Sequence, residues 1–280
     1  MNNAARAGWI IALLLALALV AGVIYVRGHR AETPVPAMAL PSAASVAPVL
    51  PIAERHPIDE AVAASGTVEL PPELSGTDDS DAGVHAALSM LAGGDDLDHL
   101  LVARDYLLQR IVAAIDALPR RQLPASVLPV RAAPGVLLTR TSDGVVTIDE
   151  RNSLRYAPYL RVLEAVDARQ LVAWYARHYG AFQQAYREQG NETGYFNDRL
   201  VEVIDHLLAT PEPATPPRLQ RPNVRYEFVD PGYESLSAGQ KMLIRAGSDD
   251  AAKIKAKLRA IRAALGDTTL PDAAQSATSG

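Results

Sequence analysis

The sequence predicts a mainly α-helical, α+β protein: an N-terminal membrane helix, a Pro-rich linker, then one helical domain with a small β-hairpin or short sheet. Three observations carry this. An uncharged apolar run lies near the N-terminus, eight prolines crowd the segment after it, and beyond residue 80 apolar residues recur at helical spacing around a single Asp-Gly turn.

The apolar run is WIIALLLALALVAGVIYV, residues 9–26. A helix of that length spans about 27 Å, close to the hydrocarbon core of a bilayer. Trp9 and Tyr25 sit at its ends, where amphipathic rings favour the interface. Arg27 and Arg30 follow at once instead of a small-x-small cleavage site, so an uncleaved single-pass anchor over 1–30 is expected. Residues 31–78 carry Pro34, Pro36, Pro41, Pro48, Pro51, Pro57, Pro71 and Pro72 amid Ala, Ser and Val. A disordered, partly polyproline and partly acidic linker is expected there, with an end-to-end distance of roughly 40 Å when flexible. The domain is expected over 79–266, and 267–280 reads as a disordered tail.

Within the domain, Val84, Ala87, Leu88 and Leu91 mark a first helix, and Leu101, Leu108, Ile111, Ile115 and Leu118 a longer one ended by Pro119. GVLLTRTSDGVVTID then changes to strand chemistry, with Asp143-Gly144 placed as a hairpin turn requires. A further short strand is predicted at 224–228. The remaining helices are predicted at 152–166, 168–189 with a break at Gly180, 198–209, 237–246 and 249–265.

Composition excludes several function classes. The chain has no cysteine, which removes disulfides, thiolate nucleophiles and Cys-ligated zinc. Net charge is -5, and residues 54–98 hold eleven acids against Arg55 alone, so that stretch repels phosphates and no nucleic-acid partner is expected. Neither a Gly-x-Ser-x-Gly elbow nor a Gly-Lys-Ser/Thr phosphate loop occurs, and no cofactor is expected.

Three stretches carry a resemblance: RYAPYLRVLEAVDARQLVAWYARHY, YFNDRLVEVIDHLLATPEP and RPNVRYEFVDPGYESLSAGQKMLIRAG. Together they resemble the bacterial domain-of-unknown-function family 3014, over roughly residues 81–265. The chain departs from the family pattern at Tyr179-Gly180-Ala181-Phe182 and at Glu188-Gln189-Gly190-Asn191. The resemblance implies an N-terminal anchor and a Pro-rich spacer, and it implies no catalytic or binding residues.

Candidate chemistry concentrates in YFNDRLVEVIDHLL, residues 195–208. Phe196, Leu200, Val203, Ile204, Leu207 and Leu208 form its apolar stripe. Asn197 suits a helix N-cap and Asp198 the positive end of the helix dipole. Arg199, Glu202, Asp205 and His206 remain to act. Glu202 and His206, at i and i+4, could supply two metal ligands but lack a third, so no metal centre is expected.

Tyr175 and Tyr179, in a row with Leu171, Phe182 and Tyr186, read either as core or as the wall of a polar-aromatic cleft. The candidate ligand-binding face is therefore Tyr175, Tyr179, Glu188, Arg199, Glu202, Asp205 and His206. Catalytic residues are not identified; Glu188 and Asp205 are the pair a glycan hydrolase would need. The last helix is cationic through Lys253, Lys255, Lys257, Arg259 and Arg262, a solvated face or a contact for anionic lipid.

The expected function is that of an inner-membrane protein presenting its domain to the periplasm as a non-enzymatic binding or structural module. Its expected partners are the membrane itself and an envelope protein or peptidoglycan. A cell-wall hydrolase with a Tyr/Arg/carboxylate cleft is the alternative.

Overall fold

Among the described residues, a cluster of ten helices carries a small antiparallel sheet. The computed structural model describes residues 53–59, 68, 70–92, 96–102, 104–223 and 225–266. The expected membrane helix at 9–26, the linker up to residue 52 and the tail from 267 lie outside the described residues. Among the described residues no helix is long and apolar enough to cross a membrane.

The first helices are α1 (Asp81–Leu91), α2 (Asp96–Leu100) and α3 (Leu107–Ala117). Ser80 caps α1 by accepting from the Gly83 amide at 3.1 Å. The long helix predicted from Leu101 starts instead at Leu107. Tyr106 sits in the left-handed region with φ +55°, and the Asp81 carboxylate accepts from the Tyr106 and Leu107 amides at 2.7 and 2.9 Å. Asp81 is thus a helix cap delivered from another helix, which no local pattern reveals. Leu101 pairs with Val130 in an isolated bridge.

The hairpin forms where the Asp-Gly pair predicts it: β1 (Thr139–Ser142) and β2 (Val145–Ile148) flank Asp143 and Gly144, at φ +51° and +74°. Two positive φ values match a type I′ turn, whose twist suits a two-residue hairpin. β3 (Arg218–Gln220) adds to β2, and β4 (Glu227–Phe228) to β3, giving a four-stranded antiparallel sheet in the order β1-β2-β3-β4. Leu219, Phe228 and Ile244 form its own small core.

Then α4 (Ser153–Ala165), α5 (Ala168–Arg177), α6 (Tyr179–Glu188) and α7 (Phe196–Leu208) build the main core. The break between α5 and α6 falls at His178, not Gly180. His178 is buried, its ring lies 4.7 Å from Trp174, and its Nδ1 is 2.6 Å from the Asp79 carboxylate. That tertiary anchor turns the chain before the glycine is reached.

Three helices close the fold: α8 (Pro231–Ser235), α9 (Ala238–Ala246) and α10 (Ser248–Ala264). A capping box between Ser237 and Gln240 starts α9. Gly239 lets α9 approach α3, since a Cβ there would stand 2.6 Å from Leu207 Cδ2 and 3.2 Å from Leu118 O. The Ala238 and Gly239 amides donate to the Arg120 and Leu118 carbonyls, pinning the end of α3.

The start of α7 differs from expectation. Asn197 is not its N-cap; Tyr195 takes that position without a side-chain hydrogen bond. Asn197 and Asp198 lie inside the first turn and hold residues 53–59 as a strap. The Asp198 carboxylate accepts from the Arg55 amide at 3.0 Å and the His56 amide at 2.7 Å, while Asn197 Nδ2 donates to the His56 carbonyl at 2.8 Å. Leu70 and Leu74 also join the main core. His56, Leu70 and Leu74, in the stretch read as a linker, are therefore packed against the helices.

Candidate functional site

Each residue of the predicted face has an intramolecular partner, and the partners lie on different elements. Tyr175 is buried and its hydroxyl donates to Asn197 Oδ1 at 3.3 Å. Burial holds its pKa well above the ordinary tyrosine value. The half-buried Tyr179 hydroxyl donates to Gln183 Oε1 at 3.0 Å, and burial followed by the nearby Glu54 carboxylate pushes its pKa up to about 12. Both tyrosines serve the core around the strap.

Glu188 is exposed and accepts from Gln184 Nε2 at 2.9 Å. Asp205 turns to Arg262 of α10, at 3.2 Å. His206 Nε2 lies 2.9 Å from Ser237 Oγ at the start of α9, and its carbonyl accepts from Gln240. The histidine is thus spent on the capping box. Among the described residues no group of three or more His, Asp or Glu side chains is placed to hold a metal ion.

Burial, and then the positive charge of Arg199, lower the pKa of His206 from the ordinary value of 6.5. The unfolded chain therefore takes up the proton first, and the histidine's contribution to stability is complete above pH 6.5 and lost as pH falls below it. Urea midpoints between pH 7.5 and 5.5 are expected to fall more for the wild type than for His206→Gln. Parallel curves would remove this assignment.

Arg199 and Glu202 lead elsewhere. Arg199 Nε and Nη2 donate to the side chain and backbone oxygens of Asp116 on α3, at 2.8 and 2.9 Å, and Nη1 donates to Glu202 at 2.8 Å. Arg120 donates to the other Asp116 oxygen. Asp116 is buried between these two guanidiniums. It lines a groove of about 510 Å³ that the sequence reading missed.

One wall of this groove is a face of α3 and its flanks: Tyr106, Gln109, Arg110, Ala113, Asp116, Ala117 and Arg120. Pro124, Ser126 and Val127, at a 3-10 turn (Ala125–Val127), form the opposite wall with Gln189 at the end of α6. From Tyr106 to Arg120 the rise is about 20 Å at 1.5 Å per residue, so the groove is a trough rather than a hole. Ala113 and Ala117 keep its floor low, and Tyr106, 68% exposed, stands at one end. Arg110 Nη1 donates to the Ser126 carbonyl at 2.8 Å and ties the two walls together. The sequence signal was the i, i+3, i+4 recurrence of Tyr, Arg, Asp and Ala opposite the apolar stripe of α3, which has the form of an ordinary solvated helix face.

The cationic face of α10 is largely occupied from within. Lys253 pairs with Glu164 at 2.9 Å, Lys255 is buried against Glu212 at 2.7 Å and the Thr210 carbonyl, and Lys257 Nζ donates to the Val166 carbonyl. These contacts leave little of the helix for a lipid surface.

A family model described as "Protein of unknown function (DUF3014)" matches residues 107–262, more than half of the chain. The chain belongs to the DUF3014 family. No curated protein and no solved structure matches it. The DUF3014 region begins at the first residue of α3 and ends near the C-terminus of α10, so it includes most of the groove lining. The strap and the Asp81 cap lie before it.

Proposed function

We propose that this DUF3014 protein is a membrane-anchored module of the bacterial envelope, facing the periplasm. Its α3 groove binds the peptide and glycan network of the cell wall without chemistry. The observation that carries the reading is the trough itself. At about 20 Å it accommodates about six residues of an extended chain at 3.3 Å each. Its lining mixes an exposed tyrosine, two amide side chains and two guanidiniums, the set that grips a polar polymer by stacking and hydrogen bonding.

Binding rather than hydrolysis is favoured by the state of Asp116, the only carboxylate among the lining residues. Glycoside hydrolysis uses two carboxyl groups across a cleft, one kept as a proton donor. Asp116 is instead clamped by Arg120 and Arg199. The apolar run at 9–26 and the prolines after it supply the anchor and the reach.

The test uses the full chain in detergent micelles, sedimented with purified peptidoglycan sacculi. Wild type is expected to co-sediment without releasing soluble fragments. Ala113→Trp, which fills the groove floor, is expected to lose retention while keeping its helical circular dichroism. Equal retention of both proteins would refute the groove, and released fragments would favour a hydrolase. A reporter at the C-terminus is expected to be active only outside the cytoplasm.

A further inference from the structure

Arg110 makes a chemically incomplete set of contacts. Its Nη1 is engaged by the Ser126 carbonyl, but its Nε is buried with no hydrogen-bond partner among the described residues. Buried guanidinium donors are normally matched, and charge-assisted partners are preferred. Among the described residues Arg110 hydrogen-bonds only to a neutral carbonyl.

Charge along the trough points the same way. Asp116 is shared by two guanidiniums, and one of these, Arg199, is further satisfied by Glu202. The other, Arg120, keeps 63% of its side chain exposed to solvent. Arg110 therefore faces the groove without a carboxylate among the described residues, and Arg120 shares Asp116 with Arg199, so positive charge exceeds negative along the trough. Ten residues separate Arg110 from Arg120, about 15 Å along the helical rise. Tyr106 closes the end beside Arg110, its backbone fixed in the left-handed region by the Asp81 carboxylate. A non-glycine residue held there costs free energy, a mark of functional rather than merely structural positions.

We infer that the groove selects peptides bearing a free carboxylate, received by Arg110, with the peptide body lying over Ala113 and Ala117 and against Tyr106, and with Arg120 adding positive potential at the far end. Guanidinium pairs with carboxylate through planar, charge-assisted hydrogen bonds, which an uncharged glycan strand cannot offer. This rests on the cell-wall reading above and narrows it to the peptide portion of that polymer.

The experiment titrates the full chain in micelles with soluble peptidoglycan fragments in two forms: carboxylates free, or converted to amides. Intact sacculi serve as a parallel arm. Free-acid fragments are expected to bind about tenfold or more tighter than amidated ones. Arg110→Gln is expected to lose that preference, while Arg110→Lys retains part of it, and both variants are expected to keep the wild-type helical circular dichroism. Equal binding of both fragment forms, with sacculi still retained, would overturn the carboxylate inference and leave the wall-binding reading standing. Loss of all binding, sacculi included, would overturn both.

Discussion

Phe196→Ala is expected to cost about 3 to 5 kcal/mol, the range for emptying a large aromatic site in a packed core. Phe196 is fully buried, 0% exposed, and its ring meets three others: Phe182 stacked at 5.8 Å, Tyr186 at 5.6 Å and Tyr175 at 6.2 Å. Its amide donates to Gln183 Oε1 at 2.7 Å, and Gln183 Nε2 donates to the Gly194 carbonyl at 2.8 Å. Ring packing and these two hydrogen bonds together set how α6 meets α7. For a folded region of this size the loss lowers the melting temperature by roughly 10 °C. Urea or thermal denaturation of the full chain measures it, and a cost below about 1.5 kcal/mol would contradict the packing described.

Asp198→Ala is the second large effect, and its signature is local. Its carboxylate is the acceptor for two consecutive amides of the strap, and His56 is buried on it. Removing it leaves those amides unmatched, at about 1 to 3 kcal/mol each. Trypsin cleavage after Arg55 is therefore expected to accelerate on the order of 100-fold, because proteolysis follows the population of the open strap. Asp198→Asn keeps one acceptor oxygen and falls between. Unchanged cleavage in the alanine variant would show that something other than Asp198 holds the strap.

Local chemistry announced some of these features and not others. Asp143-Gly144 announced the hairpin because a type I′ turn depends on two residues only, and both are there. Most helices were legible from their apolar spacing for the same reason. β3 was not: Arg218, Leu219 and Gln220 make too short an alternation to signal, and the strand exists because β2 offers a free edge. The break at His178 depends on Asp79, ninety-nine residues away in sequence.

The candidate site divides along the same line. Arg199 and Glu202 were legible as polar positions on α7, but their target, Asp116, is eighty-three residues away from Arg199. Periodicity says which side of a helix avoids water and nothing about what the wet side faces. The groove is made by two walls, and the second, at Pro124 to Val127, has no regular pattern to read.

The strap also bears on the order of events during synthesis. Residues 55 and 56 leave the ribosome more than 140 residues before Asp198, their partner. At 5 to 20 residues per second that interval is roughly 7 to 30 s. Throughout it, the Asp198 carboxylate is not there to accept from the amides of the His56 segment. Docking must therefore come late, after α7 has emerged and its first turn has formed. Of the described residues, those nearest the N-terminus are among the last to be fastened, and a chain begun at residue 79 would never contain them.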